Sequence, residues 1–440
     1  MLKPMYLPES AEYCIRALES AGFEAYAVGG CVRDALLGLQ PHDYDLCTSA
    51  TPDDICRVFG VFPLVRSGEK HGTIGVIIDN TVYEITTFRT EGGYQDSRHP
   101  DWVRFVSCVE EDLARRDFTV NAMAYSPERG YIDPWGGQTD LRSHTLRAVG
   151  DPATRFTEDA LRILRGVRFS VRYGLSPEPE TEKAMTLLAG HLERLARERI
   201  FDELCKLLPL VNAADLVRFS PILAQVVPEL APTIGFAQHS PYHAYDVFTH
   251  TAYVTERVPP ELSLRWAALL HDIGKPATFT LDENGQGHFY GHAKISAQQA
   301  DALLRRLKAP TALRERVVFL VEQHMTPLEP DRRLLRRRLG KFGRDAVYAL
   351  LALQEADFGK DKANPLPGSV RALLDEIMEE EACLTVKDLA VNGSDLLALG
   401  IQAGPKIGQC LEFLLTQVQD ETLQNEKAAL LPAAEAFLRK

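Results

Sequence analysis

The 440-residue chain contains no run of 18 apolar residues, so no helix of ordinary length is expected to cross a membrane. Its first residues, Met1-Leu2-Lys3-Pro4-Met5, lack an apolar core followed by a small-residue cleavage site, and no signal peptide is expected. The eight cysteines include no Cys-x-x-Cys pair, which excludes a zinc ribbon and a disulfide miniprotein. Scattered thiols suit a reducing cytoplasm, so a cytoplasmic protein is expected. Internal repeats and low-complexity tracts are also missing, and the composition excludes a collagen and a wholly disordered chain. Excess positive charge is missing too. A net charge of −12 argues against a non-specific nucleic-acid coat, while leaving room for a local basic groove.

What is present is a globular composition, 45% hydrophobic and 25% charged, long enough for several cores. Residues 1–145 mix short β-like runs with helical stretches. Val76–Ile78 and Val82–Phe88 read as a hairpin about an Asp79-Asn80 turn. From about 146 onward Leu and Ala recur at helical spacing, broken by Gly174, Pro228, Pro232, Pro241, Pro310 and Pro327. The expected fold is therefore α+β: a small mixed-sheet head followed by an extended all-α body. Seams are expected near 145, 210–240 and 365.

The densest chemistry is Gly29-Gly30-Cys31-Val32-Arg33-Asp34 followed by Asp43-Tyr44-Asp45-Leu46. Alternation along a strand puts Asp43 and Asp45 on one face. Two adjacent carboxylates repel unless a cation sits between them, and hard oxygen ligands suit Mg²⁺, which also binds substrate phosphates. The Gly-Gly turn brings backbone N–H groups close to a phosphate, and Arg33 adds a donor fork. Glu84 is a candidate third carboxylate. Further along stand Arg115-Arg116-Asp117-Phe118-Thr119-Val120-Asn121-Ala122 and Glu158-Asp159-Ala160-Leu161-Arg162-Ile163-Leu164-Arg165-Gly166-Val167-Arg168-Phe169. In the latter, charges step every three residues along one stripe, while Leu161, Leu164 and Val167 form a core stripe.

These segments, in this order and followed by Glu198-Arg199-Ile200-Phe201-Asp202-Glu203, resemble the class II CCA-adding tRNA nucleotidyltransferase and bacterial poly(A) polymerase family. The resemblance implies a polymerase-β-like head that adds nucleotides to RNA 3′ ends with Mg²⁺ held by Asp43 and Asp45. It further implies tRNA, ATP and CTP as partners. Gly30, Arg33, Arg116, Arg165 and Arg168 would contact the nucleotide, and Asp159 with Arg162 would choose the base. A carboxylate accepts and a guanidinium donates, which matches the amino donor beside a ring-nitrogen acceptor on C and A but not on U and G. Residues 89–100, ending Arg98-His99-Pro100, resemble the family's flexible loop, and that loop's presence favours CCA or A addition over CC addition. Residues 383–440 carry five Lys/Arg against seven Asp/Glu, unlike the basic extension of poly(A) polymerases. A monomer or homodimer is expected.

A second constellation comprises His250, His271-Asp272-Ile273-Gly274-Lys275, His292, His324 and Asp357. The His-Asp segment resembles the HD phosphohydrolase superfamily. It implies a metal centre formed by His250, His271, Asp272 and Asp357, with His292 and His324 matching two-metal members. Imidazole with carboxylate suits Mn, Fe, Ni, Co or Zn. A phosphatase or phosphodiesterase activity follows, with a vestigial domain that only scaffolds RNA as the opposing reading; against nucleotide addition stands a phosphohydrolase or RNA-binding protein with a silent head. Residues 331–345 hold seven basic side chains against two acids, either a solvated helix face or an RNA-backbone contact. The expected division is a head at 1–145, a neck at 146–240, an HD domain at 241–365 and a tRNA-binding tail at 366–440.

Overall fold

The computed structural model describes residues 4–92, 102–239, 245–358, 366–380, 383–400 and 403–438. The chain forms two compact units. The first is Met1–Val211 with Arg218–Ala231 and Arg306–Lys308; the second holds the rest.

The first unit is built on a seven-stranded mixed sheet of order β3-β4-β5-β2-β1-β8-β9. These strands are β1 (Ala25–Val28), β2 (Leu46–Thr48), β3 (Leu64–Val65), β4 (Thr73–Ile78), β5 (Thr81–Thr87), β8 (Ala124–Ser126) and β9 (Gly130–Ile132). The expected hairpin is present. Asp79 and Asn80 both take positive φ, 51° and 60°, as a two-residue hairpin turn between right-twisted strands requires. Strand β2 runs parallel to β5 and antiparallel to β1, so β1 and β5 flank it. Val28, Cys47, Phe88, Val109 and Leu113 share one buried apolar cluster on this sheet. A separate ribbon pairs β6 (Arg89–Gly92) with β7 (Trp102–Phe105). The rest of the loop expected at 89–100, including His99, lies outside the described residues.

The same unit holds the helix Leu161–Tyr173, whose core stripe Leu161, Leu164 and Val167 is buried as expected. The helix begins two residues after Asp159, whose Oδ1 accepts from the Leu161 N–H at 3.0 Å. It stops at Gly174 in the left-handed conformation.

The second unit is helical among its described residues, apart from the two-residue strands of a small ribbon at 280–288. Helices Val247–Arg257, Leu262–Leu270, Thr311–Gln323 and Arg344–Phe358 pack together, with Trp266 fully buried. The basic segment forms the helix Arg332–Phe342. Three of its seven cations turn towards acids of the same unit. Arg332 pairs with Glu380 and Glu421, Arg336 with Glu421 at 2.8 Å, and Arg337 with Asp420. This cluster therefore ties helices together as much as it offers charge to a polyanion, a division that composition alone did not reveal. Residues 389–434 bury a small core of their own around Leu396, Leu414 and Leu430. No helix among the described residues is long and apolar enough to cross a membrane.

Candidate active site

In the first unit, Gly29 caps the seven-residue helix Gly30–Leu36 at φ 75°. That backbone conformation strains any side chain with a Cβ, and a Cβ at Gly29 would lie 2.7 Å from Arg116 Nη1. Glycine thus lets Arg116 close over the turn. The first-turn amides of this helix have no acceptor within it and remain available to an anion.

Asp43 and Asp45 precede β2 and do not lie inside it as expected; the assigned strand starts at Leu46. Both are exposed. The parallel register pairs Leu46 with Ile85, so one step back Asp45 stands beside Glu84. Desolvation raises the Asp45 carboxyl above its ordinary range. Asp43 and Glu84 push it further up, and Arg116 opposes them. Three carboxylates with one opposing guanidinium form a charge arrangement that a hard divalent cation relieves, so these residues fit Mg²⁺.

Arg116 is steadied from below. Asp112, only 1% exposed, meets Arg116 at 3.4 Å and Arg115 at 2.9 Å. It also accepts from the Arg89 N–H at the foot of the β6–β7 ribbon. The Arg116 Nε has no partner although it is buried. Asp112 was missed in the sequence, yet it sits three and four residues before Arg115 and Arg116, a helical spacing that was legible.

The other nucleotide-site candidates are more internal than expected. Arg33 is buried, hydrogen-bonded to Asp34 and Asn121, and its guanidinium lies 4.2 Å from the Tyr173 ring centroid. Arg165 bonds Asp117 through Nε at 2.9 Å and Nη2 at 2.8 Å, and Arg168 bonds Glu203 at 2.7 Å. Burial alone would raise the Asp117 carboxyl, but Arg165, Asn121 and Arg162 hold it at about 2. Arg33, Arg165 and Arg168 all lie within 5.3 Å of the Phe169 ring. Gly30 is next to them, 3.6 Å from Arg33 Nη2 by its notional Cβ.

Asp159 and Arg162 do not pair with each other. Asp159 Oδ2 meets Arg199 at 2.8 Å. Arg162 donates to Glu158 at 2.8 Å and to the carbonyls of Arg155 and Arg115. Each keeps free capacity: a carboxylate has about four lone-pair sites and a guanidinium has five N–H donors.

The second unit brings all six remaining candidates together. Asp246 caps the helix that carries His250, accepting from the N–H groups of Phe248 and Thr249. His271 and Asp272 follow the end of the helix Leu262–Leu270. Gly274 lets that turn press on the helix His292–Arg306, since a Cβ there would meet the Ser296 nitrogen at 2.7 Å. Two triads result, His250–His271–Asp272 and Asp272–His292–His324, each with donor atoms within 4.8 Å of one another. Asp272 belongs to both. Its Oδ2 faces His271 Nε2 at 3.1 Å and its Oδ1 faces His292 Nε2 at 3.3 Å. Asp357 Oδ1 lies 2.8 Å from His250 Nε2.

The ring nitrogens behave as a ligand set requires. The Nδ1 atoms of His271, His292 and His324 lie 2.7–2.8 Å from the carbonyls of Ala268, Phe289 and Val321. This fixes each Nε2 inward, the outer-shell pattern of metal-bound imidazole. His271 Nε2 and Asp272 Oδ2 are buried and face each other at 3.1 Å, with Lys275 Nζ 2.7 Å from the same Oδ2. Burial would depress the His271 imidazole, but Asp272 and Asp357 carry it up to about 10; burial, aided by His271, pulls His324 down to about 4. Lys275, named in the sequence motif without a role, has its Nζ 2.7 Å from Asp272. The donor set fits one or two divalent transition-metal ions.

A mixed sheet with a glycine turn facing three carboxylates, carried by a chain whose body is helical, defines a nucleotidyltransferase-type protein. Residues 25–147 match the family description "Poly A polymerase head domain", and residues 282–434 match a tRNA nucleotidyltransferase domain 2. The chain is 35% identical over 431 residues to the CCA-adding enzyme of Limosilactobacillus fermentum, covering 98% of this chain and 97% of that protein. It is also 35% identical to that of Levilactobacillus brevis over 435 residues, covering 97% and 98%. Among solved structures, the Bacillus stearothermophilus CCA-adding enzyme in complex with CTP matches with TM-score 0.73 and 29% identity over 100% of this chain and 98% of that one. The Thermotoga maritima enzyme complexed with tRNA shares the fold, with TM-score 0.63 and 21% identity over 98% and 97%. The chain belongs to the CCA-adding enzyme family.

Proposed function

We propose that this chain adds C, C and A to tRNA 3′ ends from CTP and ATP, releasing pyrophosphate. The observation that carries the reading is the carboxylate trio Asp43, Asp45 and Glu84 facing Gly29 and Arg116, in a chain aligned end to end with CCA-adding enzymes. Asp43 and Asp45 would hold Mg²⁺, with Glu84 beside them. When bound, the metal supplies activation of the attacking 3′-hydroxyl and neutralises charge on the leaving pyrophosphate. Arg116 reaches the phosphates over the Gly29–Gly30 turn. Arg33, Arg165 and Arg168 hold the wall around Phe169 with their buried acid partners and contribute positive potential towards the nucleotide. The division into head, neck, HD domain and tail at 145, 240 and 365 is part of the same proposal.

The direct test uses tRNA lacking all three terminal residues, with labelled CTP and ATP. Successive addition of two C and one A is expected. A long A tract instead would indicate a poly(A) polymerase, and A added only to tRNA ending in CC would indicate a partial activity.

Asp159 and Arg162 choose the base. Asp159 accepts from the amino group that C and A share, and Arg162 donates to the adjacent ring nitrogen. Asp159→Ala or Arg162→Ala is expected to raise UTP and GTP incorporation relative to CTP and ATP. Each lost contact is worth about 1–3 kcal/mol. Competition assays with all four nucleotides check this. Unchanged selectivity at unchanged rate would remove both residues from base choice.

Asp112→Asn is expected to raise KM for both nucleotides. Weakening one charge-assisted contact to Arg116 costs about 1.5–3 kcal/mol, roughly ten- to hundred-fold in kcat/KM. Steady-state kinetics on a variant that still melts cooperatively check it, and an unmoved KM would show that Arg116 needs no support.

One observation favours a second activity. Four buried imidazoles and Asp272 point their donor atoms inward, and Asp357 borders them. This unit then acts as a metal-dependent phosphohydrolase beside the polymerase. His250, His271, Asp272, Asp357, His292 and His324 would hold the metal, which lowers the pKa of its bound water.

A further inference from the structure

Arg33 is 5% exposed although it carries a full charge, and a buried charge requires matched donors. Four of its five N–H groups are matched. Asp34 Oδ1 takes the one on Nε at 2.9 Å and one on Nη2 at 2.7 Å. Asn121 Oδ1 takes one on Nη1, and the Tyr173 hydroxyl takes the second on Nη2. A single Nη1 N–H is left over. Asp34 stands next to Arg33 in the chain, and Asn121 lies in the segment Arg115–Ala122. Tyr173 comes from elsewhere, as the last residue of the helix Leu161–Tyr173, 140 residues further along the chain.

Tyr173 holds Arg33 through both its ring and its hydroxyl. Arg33 Cζ lies 4.2 Å from the Tyr173 ring centroid and 5.3 Å from that of Phe169, one turn earlier on the same helix. A guanidinium over an aromatic face is attracted by the ring's quadrupole, so the rings fix its plane. The hydroxyl fixes its rotation within that plane. Burial raises the Tyr173 phenol above its ordinary range, Arg33 opposes the rise and Asp34 adds to it, so the three groups stand against one another. Arg33 itself rides on the helix Gly30–Leu36, whose seven residues are too few to hold a helix alone. The helix it docks on begins two residues after Asp159 and carries Arg162, Arg165 and Arg168. At roughly 1.5 Å per residue, Arg162 and Tyr173 stand about 17 Å apart along it. One rod thus carries the base-choosing residues at one end and the grip on Arg33 at the other.

We propose that Tyr173 is a positioning residue of the triphosphate site: it locks the Arg33 guanidinium in the orientation that leaves one Nη1 N–H for a phosphate oxygen. Without the ring and hydroxyl, the guanidinium keeps Asp34 and Asn121 but loses the contacts that fix its plane and its second Nη2 donor. Its remaining donor then no longer has one direction, and part of each binding event goes into ordering it. The triphosphate is common to all four nucleotides, so the lock sets affinity and leaves base choice to Asp159 and Arg162. The inference rests on the proposed nucleotide site, and its test separates the two.

The experiment measures steady-state addition of CTP and ATP to tRNA by the full chain with Mg²⁺, and its competitive inhibition by inorganic tripolyphosphate. Wild type, Tyr173→Phe, Tyr173→Leu, Arg33→Gln and the double variant Arg33→Gln with Tyr173→Leu are compared. Tyr173→Phe keeps the ring and is expected to raise KM roughly 3- to 10-fold, the range for one hydrogen bond. Tyr173→Leu loses the ring as well, and a rise of roughly 10- to 100-fold is expected. In both, kcat stays near wild type, tripolyphosphate weakens by the same factor as CTP, and discrimination against UTP and GTP is unchanged. In the Arg33→Gln background Tyr173→Leu is expected to cost nothing further, because the residue acts through Arg33. Unchanged KM in both single variants overturns the lock. So does an undiminished loss in the Arg33→Gln background, or relaxed base choice, since either places the effect in the helix and not in Arg33. If Tyr173→Leu no longer melts cooperatively, Tyr173→Phe, which preserves the ring, decides alone. Wild type that neither adds CTP or ATP to tRNA nor binds them overturns the proposed nucleotide site and the lock with it.

Discussion

Asp45→Ala is expected to stop CTP and ATP incorporation while the protein still folds. The residue stands between Asp43 and Glu84, where like charge and desolvation hold its carboxyl above the ordinary range. A group placed against its own electrostatic preference weakens the empty fold, so its removal should leave the melting temperature unchanged or higher. Activity moves the other way. Losing several kcal/mol of metal-borne charge stabilisation lowers the rate by on the order of 10³-fold or more. Asp43→Ala should behave alike, because in the proposed site both carboxylates would hold the same cation. The paired readout is labelled-nucleotide incorporation and a thermal melt. Near-normal turnover in either variant sinks the carboxylate assignment, whereas a collapse of the melt shows that the pair serves the fold.

His271→Ala is expected to remove bound transition metal from the purified protein while nucleotide addition continues. His271 is fully buried and holds its Nε2 3.1 Å from Asp272 and 3.7 Å from Asp357, so its removal takes an inward-facing donor out of the cluster. Nucleotide addition depends on oxygen ligands in a different compact unit. Elemental analysis should find one or two ions per wild-type chain and fewer in the variant. A cavity where an imidazole stood destabilises, so His271→Gln, closer in volume, serves as the check that the metal and not packing is lost. Wild-type protein that takes up no Mn²⁺, Co²⁺, Ni²⁺ or Zn²⁺ would show the six residues to be a scaffold. Loss of CCA addition in a folded His271→Ala variant would show that the two sites are not independent.

Local signals were the legible ones. The Asp79-Asn80 turn, the buried stripe Leu161–Leu164–Val167 and the histidines on separate helices or at their ends follow from turn chemistry and helical period. Glu84 was legible because it lies in the middle of a strand pattern flanked by apolar residues. Asp43 and Asp45 were read as strand residues and instead lie just before the strand. The boundary of β2 depends on its partners β1 and β5, which a local pattern does not contain.

The basic segment at 331–345 shows the opposite limit. Its charge was plain in the sequence, but the pairing of Arg332, Arg336 and Arg337 with Glu380, Asp420 and Glu421 was not, because those acids lie more than 40 residues further along the chain. The same holds for Arg165 with Asp117, Arg168 with Glu203 and Asp159 with Arg199. Each looked free to meet a nucleotide, and each is held by an acid or base from another segment.

By itself, then, the sequence determined the chemistry available: carboxylates in the head, imidazoles in the body, an acceptor and a donor at Asp159 and Arg162, and a mixed sheet followed by helices. These depend on residue type and short spacing. Tertiary structure alone decided which charges stay free to act. Asp45 keeps its unrelieved repulsion because parallel pairing sets Glu84 beside it. Arg116 stands over the glycine turn because Asp112 holds it, whereas Arg33 is buried against Asp34, Asn121 and Tyr173. The physical reason is that desolvation and pairing depend on distance in space, and a side chain's neighbours in space are set by the fold.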